Sequence, residues 1–232
     1  MNIKILQLIE GAKQAKGLTV VIDVFRAMSV EAYLLSRGAE KIIPVGDANL
    51  AYKLKEENPT YILAGERHGK IMPGFDLGNS PDDVLKTDAE GKTVVHTTSA
   101  GTQGIANANG ADEILGASLV NARATAKYIA KSGYENVSIV CMGLEALSPT
   151  EEDTLCAEYI KAIVEGKESE LDMKKEIESL KTTSGAKFFD KAQNDVFPEN
   201  DFYLSTDLDK FDFVIKLSED ENGMKVMKKV KV

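Results

Sequence analysis

Residues 19–27 read Thr19-Val20-Val21-Ile22-Asp23-Val24-Phe25-Arg26-Ala27, a β-branched apolar run that stops on an acidic residue. A near-continuous apolar run belongs to a strand covered on both faces, as in parallel sheets with helical crossovers. Working outward, comparable runs recur as IKILQL, KIIPVG, YILAGE, TVVHTT, EILGAS, SIVCMG and DFVIKL. Between most of them the apolar spacing turns helical, and the spacing predicts helices over 27–37, 48–56, 101–109, 121–131, 151–164 and 168–182. Asp47 and Pro149-Thr150 supply helix starts, and Gly38, Gly110, Gly133 and Gly166 supply stops. The class is α/β, with a mostly parallel or mixed sheet and helices on both faces.

At 232 residues the chain can form one catalytic α/β unit over 1–232 or two α/β lobes, with a lobe boundary near 116–121 where strand-rich sequence gives way to more helical, more charged sequence. A net charge of -9 without a concentrated basic face argues against nucleic acid. The lysines from Lys225 to Lys231 alternate with Val226, Met227 and Val230 and read as a strand or solvated tail. No apolar run approaches the length of a membrane span, and the first ten residues lack the features of a signal peptide. Two cysteines without a framework spacing fit a reducing compartment, so a cytoplasmic location is expected. Enzymes of this size commonly assemble as homo-oligomers.

Polar and glycine-rich residues collect where strands end: Asp23 to Arg26, Gly65-Glu66-Arg67, Thr97 to Thr102, and Cys141-Met142-Gly143 leading to Glu151-Glu152-Asp153. Ligands of open α/β sheets bind outside the carboxyl ends of strands, where helix N-termini add donors. An acidic residue directly after an apolar strand calls for a cation, an arginine or backbone donors, so Asp23 reads either as a metal or arginine partner or as a cap for the helix from Ala27. Thr97-Thr98-Ser99 with Gly101-Thr102 reads either as a phosphate or sulfonate cradle or as an ordinary capped turn. The run from Gly65 to Pro81 holds carboxylates, cations and glycines in a loop longer than a connection needs, and such loops are usually functional.

Familiar phosphate motifs fail one by one. Gly65 to Lys70 has the wrong spacing for a P-loop, and Cys141 and Cys156 lack the arginine of a cysteine phosphatase. After Asp23, the position of the second aspartate of haloacid-dehalogenase phosphatases is Phe25. Arg67-His68-Gly69 matches a histidine-phosphatase tripeptide, but the only other histidine, His96, lies inside an apolar strand. Two histidines and two dispersed cysteines do not make a zinc site. Oxygen ligands for a hard cation are plentiful in Asp23, Glu66, Asp76, Glu152 and Asp153.

VVIDVFRA, AGERHGKIMPGFDLGNSP, the TT-x-x-GT segment and LSPTEEDTLCAEYI together resemble the 2-phosphosulfolactate phosphatase family, over about Val20 to Tyr159. The resemblance implies magnesium-dependent hydrolysis of a small anionic phosphate ester, (2R)-phospho-3-sulfolactate, in coenzyme M biosynthesis. It implies Asp23, Glu66, Arg67 and Asp76 as catalytic residues, and Asp23, Glu66, Asp76 and Asp153 as magnesium ligands. Arg26, Asn79, Ser80, Thr97, Thr98, Gly101 and Thr102 would bind substrate. The family commonly has serine or threonine where this chain has Met28-Ser29-Val30, and its Thr-Thr-Asn-Gly-Thr is one residue longer here, over Thr97 to Thr102. His68 falls at an open position of the motif. Attack by water and phosphorylation of Asp23 both stay open, as do three rivals: a related anionic phosphate ester as substrate, histidine chemistry through His68, and non-catalytic binding of a sulfonated or phosphorylated metabolite.

Overall fold

The computed structural model describes residues 1–232. Ten strands form one open mixed sheet: β1 (Asn2–Gln7), β2 (Gly17–Ile22), β3 (Lys41–Pro44), β4 (Ile62–Arg67), β5 (Lys70–Ile71), β6 (Thr93–Thr97), β7 (Ala111–Ala117), β8 (Asn136–Cys141), β9 (Phe213–Glu219) and β10 (Lys225–Lys231). The order is β1-β8-β2-β7-β9-β10-β3-β6-β4-β5. The helices are α1 (Leu8–Gln14), α2 (Ala27–Ser36), α3 (Ala48–Glu57), α4 (Pro81–Leu85), α5 (Gly101–Asn107), α6 (Ala122–Lys131), α7 (Glu151–Glu165), α8 (Met173–Leu180) and α9 (Glu199–Ser205).

Strand β2 shows why the opening run is apolar throughout. Val20 and Ile22 enter one core with Ile139, Tyr159 and Ile160 from β8 and α7. Val21 enters the other, with Met28, Ile105 and Met227 from α2, α5 and β10. Alternate side chains thus meet helices on opposite faces, and each buried aliphatic side chain contributes about 1.5–3 kcal/mol.

The sheet has two parallel halves, β1-β8-β2-β7 and β3-β6-β4, joined by the antiparallel β9–β10 hairpin. The junctions β7/β9, β9/β10 and β10/β3 are all antiparallel, so the halves run in opposite hydrogen-bonding sense. Strands in a sheet turn by roughly 20–25° per step. Over the six steps from β2 to β4 this amounts to roughly 120–150°, which offsets most of the reversal. The ends of β2, β4 and β6 can therefore open onto one cleft.

The sheet is continuous across residues 116–121, which run buried from β7 through a short 3-10 turn into α6. The predicted helix over 168–182 is shorter: a 3-10 turn at Glu168–Glu170 precedes α8, whose first turn is capped by the Asp172 carboxylate accepting from the Lys175 N–H. An interior aspartate competes for backbone donors, so it starts a new helix rather than continuing one. The stretch 65–81 is not all loop. His68 and Gly69 both have positive φ, closing a two-residue hairpin between β4 and β5, and Ser80 with Pro81 starts α4. No helix is long and apolar enough to cross a membrane.

Gly65 sits where β4 passes closest to β6. Its φ is 152°, and a Cβ there would lie 2.1 Å from the Thr97 carbonyl oxygen. Gly65→Ala is expected to cost about 1–3 kcal/mol in urea unfolding, by prising the strands apart next to Glu66; unchanged stability would contradict the close approach.

Candidate active site

Four chain segments converge on a cleft of about 100 Å³. From the end of β2 come Asp23 and Arg26; from the β4–β5 hairpin, Glu66; from the turn before α5, Ser99; from the start of α7, Glu152 and Asp153. Lys187 and Phe197, on the segment between α8 and α9, complete the wall.

Three of these four carboxylates are fixed by backbone donors. Asp23 Oδ1 accepts from the Ala27 N–H at 3.1 Å, so Asp23 caps α2 while facing the cleft. Glu66 acts as a clamp: Oε2 accepts from the Gly69 N–H at 2.7 Å, and Oε1 from the Ser99 N–H at 2.7 Å. Asp153 ties two strand ends together, Oδ1 accepting from the Val24 N–H and Oδ2 from the Gly143 N–H, both at 2.8 Å. Glu152 differs from the rest. It is 3% exposed, and its Oε2 has no hydrogen-bond partner.

Crowding these groups away from water alters their acidity. Burial pushes Asp23 up to about 6, with the Ala27 N–H opposing and Glu66 and Glu152 adding repulsion. Burial also raises Glu152, and burial followed by the charges of Glu152 and Asp23 raises Asp153 well above the usual carboxylate range. A cation would offset this repulsion, and Asp23 and the orphaned oxygen of Glu152 are the groups here that could help to hold one.

Arg26 supplies positive charge from the opposite wall and is 3% exposed. Its Nη1 donates to Asp201 Oδ2 at 2.8 Å and to the Val196 carbonyl at 2.9 Å, its Nη2 donates to the Gly69 carbonyl at 3.2 Å, and its guanidinium lies 4.9 Å from the Phe197 ring centre. The Nε–H edge keeps no protein acceptor and remains free for an oxyanion. Exposed His68 pairs with Glu145 at 2.9 Å.

Of the residues singled out from the sequence, Asp23, Arg26, Glu66, His68, Asn79, Glu152 and Asp153 line this cleft. Asn79 brings a buried Oδ1 without a partner. The others stand behind the wall or away from it. Asp76 accepts from the Leu63 N–H and from Lys55, with 45% of its side chain exposed, and so braces a loop outside the cleft. Arg67 donates to the Glu66 and Gly46 carbonyls and to Thr97 Oγ1, bracketing β4 against β6. Thr98 and Thr102 cap each other through reciprocal N–H to hydroxyl bonds of 2.9 and 3.2 Å. Ser80 caps α4 and donates to Asp201. Gly101 lets α5 begin against Asp23, since a Cβ there would lie 3.0 Å from Asp23 Oδ2. Buried His96 meets Glu31 through Nδ1 at 2.9 Å inside the core and away from the cleft, while His96 Nε2 and Glu31 Oε2 find no partner there.

Lys187 and Phe197 were not marked by any spacing in the sequence. Their segment is irregular, made of short 3-10 turns, and so carries no periodic signal.

An open α/β sheet whose strand ends enclose buried carboxylates, a free arginine edge and helix starts defines an enzyme that handles a small anionic substrate. The sequence profile of the 2-phosphosulpholactate phosphatase family matches residues 3–220, and the chain belongs to that family. A probable 2-phosphosulfolactate phosphatase of Bacillus subtilis is 32% identical over 204 residues, 88% of each chain. Probable 2-phosphosulfolactate phosphatases of Caldicellulosiruptor saccharolyticus (44% over 144 residues, 60% of this chain) and Caldanaerobacter subterraneus (41% over 128 residues, 54%) are matched over 59% and 53% of their own lengths.

Proposed function

We propose that the chain hydrolyses the phosphate monoester of (2R)-phospho-3-sulfolactate to 3-sulfolactate and phosphate, with magnesium, as a cytoplasmic step of the coenzyme M type. The observation that carries the reading is the cleft itself, where Asp23, Glu152 and Asp153 crowd together beside Arg26. A substrate with several negative charges cannot enter such an acidic pocket unless a cation joins it.

The donor set fits magnesium. No three side chains stand close enough to form a ready-made metal cage. Magnesium does not require one: it keeps several waters and takes one or two carboxylates together with substrate phosphate. Glu66 and Asp153 already spend both oxygens on backbone N–H groups, whereas Asp23 gives only Oδ1 to the Ala27 N–H and Glu152 keeps an unpartnered Oε2, so Asp23 and Glu152 are the side chains that would hold the ion. When bound, the ion would neutralise charge on the phosphoryl oxygens.

The chain's own groups do the rest. Arg26 presents its Nε–H edge to an anionic oxygen and is held rigid by Asp201. The clamp of Glu66 on Gly69 and Ser99 fixes the opposite rim, so the phosphate meets a preorganised wall. Asp23, with its acidity brought near 6, is mostly ionised at neutral pH and is the group positioned either to take a proton from attacking water or to accept the phosphoryl group. His68 belongs to a turn and pairs with Glu145, so His68→Ala is expected to change turnover little.

Phosphate release from phosphosulfolactate tests the reading. Turnover should vanish in EDTA and return with added Mg²⁺; full activity in chelator would rule out the metal, and no release under any condition would rule out the hydrolase.

A further inference from the structure

Lys187 lines the cleft but takes part in no ion pair or hydrogen bond. Its Nζ lies 5.2 Å from the Phe197 ring centre, 5.6 Å from Phe188 and 5.9 Å from Phe25, half enclosed by three aromatic rings. Burial lowers its pKa, the charges of Glu152, Asp23 and Asp153 favour its charged form from a distance, and Arg26 opposes it. Lys187 thus shares the cleft with those carboxylates and with Arg26. Arg26 and His68, the other basic side chains of the cleft, both have carboxylate partners. A half-buried ammonium without a partner is costly unless a ligand supplies the missing acceptor.

We propose that Lys187 holds the second oxyanion of the substrate, the sulfonate or carboxylate that is not transferred, and so makes the cleft selective for phosphate esters that carry one. The inference rests on the hydrolase reading above for the identity of the ester, but the contact itself does not depend on turnover. Three rings exclude water around the ammonium without competing for its protons, so an oxyanion there is bound in a medium where the attraction is strong. The phosphate end is left to the carboxylate wall and any cation held there. The division of labour places Lys187 as a specificity residue: its removal weakens binding far more than it slows the chemistry.

The experiment compares wild type, Lys187→Met and Lys187→Arg on phosphosulfolactate, on 2-phospholactate, which lacks the sulfonate, and on 1-sulfopropan-2-yl phosphate, which lacks the carboxylate. Lys187→Met should raise KM for phosphosulfolactate roughly 30-fold or more, with kcat changed less than about threefold. Lys187→Arg should recover most of the loss. On whichever truncated ester lacks the oxyanion that Lys187 contacts, the substitution should add less than about threefold, which also tells sulfonate from carboxylate. An equal effect on all three esters, or no effect on any, overturns the proposal. Calorimetric titration with 3-sulfolactate reads the same contact without catalysis. If the wild type releases no phosphate yet binds sulfolactate and Lys187→Met does not, the hydrolase reading falls and the clamp stands; unchanged sulfolactate affinity in Lys187→Met sinks the clamp alone.

Discussion

Asp23→Asn should lower turnover by a factor of about 10³ or more while leaving the sheet folded and, without metal, making the protein more stable. The amide can still accept from the Ala27 N–H, so the α2 cap survives. What disappears is the charge, needed to hold a cation and to take a proton or phosphoryl group. The stability effect follows from the raised acidity constant. In the folded chain Asp23 titrates near 6 against an ordinary value of 3.8, so the folded state holds the proton more tightly than the unfolded one. Its contribution is therefore most favourable below about pH 4, declines as pH rises toward 6, and is flat above that. The gap corresponds to about 3 kcal/mol against the ionised wild type. Melting curves in EDTA should place Asp23→Asn above wild type at pH 8, with the advantage gone below pH 4. Added Mg²⁺ should stabilise the wild type and not the variant. A variant with full turnover, or parallel melting curves at all pH values, would refute the assignment.

Asp201→Ala should be among the most destabilising single changes in the molecule, at about 3–5 kcal/mol. Asp201 is fully buried; its Oδ2 pairs with Arg26, and its Oδ1 accepts from Ser80 Oγ and the Asp82 N–H. Truncation strands a buried guanidinium and two donors at once. Because Arg26 then loses its anchor, kcat/KM should fall along with the urea midpoint. The double variant Arg26→Met, Asp201→Ala should regain part of the stability and none of the activity. A loss below about 1 kcal/mol would show that the pair is solvated after all.

How much of this could be read from residues alone differs by element. The apolar run before Asp23 announced a strand buried on both faces, and its side chains do divide between two cores. Asp23, Arg26 and Glu66 could be picked out because charge directly after an apolar strand needs a partner, and each has several. The threonines show the limit. A hydroxyl serves a ligand or its own turn equally well, and Thr98 and Thr102 serve each other. Asp76 and Asp153 share a residue type and an expected role, yet one braces an exposed loop and the other joins β2 to the turn after β8. Which backbone N–H lies within reach of a carboxylate is set by tertiary structure, and no spacing encodes it. Lys187 and Asp201 lie beyond the segment where the motif resemblance is dense, and the fold brings Lys187 to the cleft and Asp201 to the buried side of Arg26 from far along the chain.

The hairpin of β9 and β10 bridges two half-sheets that are complete without it in sequence order. A nascent chain therefore leaves the ribosome with β7 and β3 each presenting a bare edge, and neither can be sealed until residues 213–231 have been translated. Premature stop codons before Phe213 should yield insoluble fragments rather than partly active enzyme, and chaperone demand should peak late in synthesis.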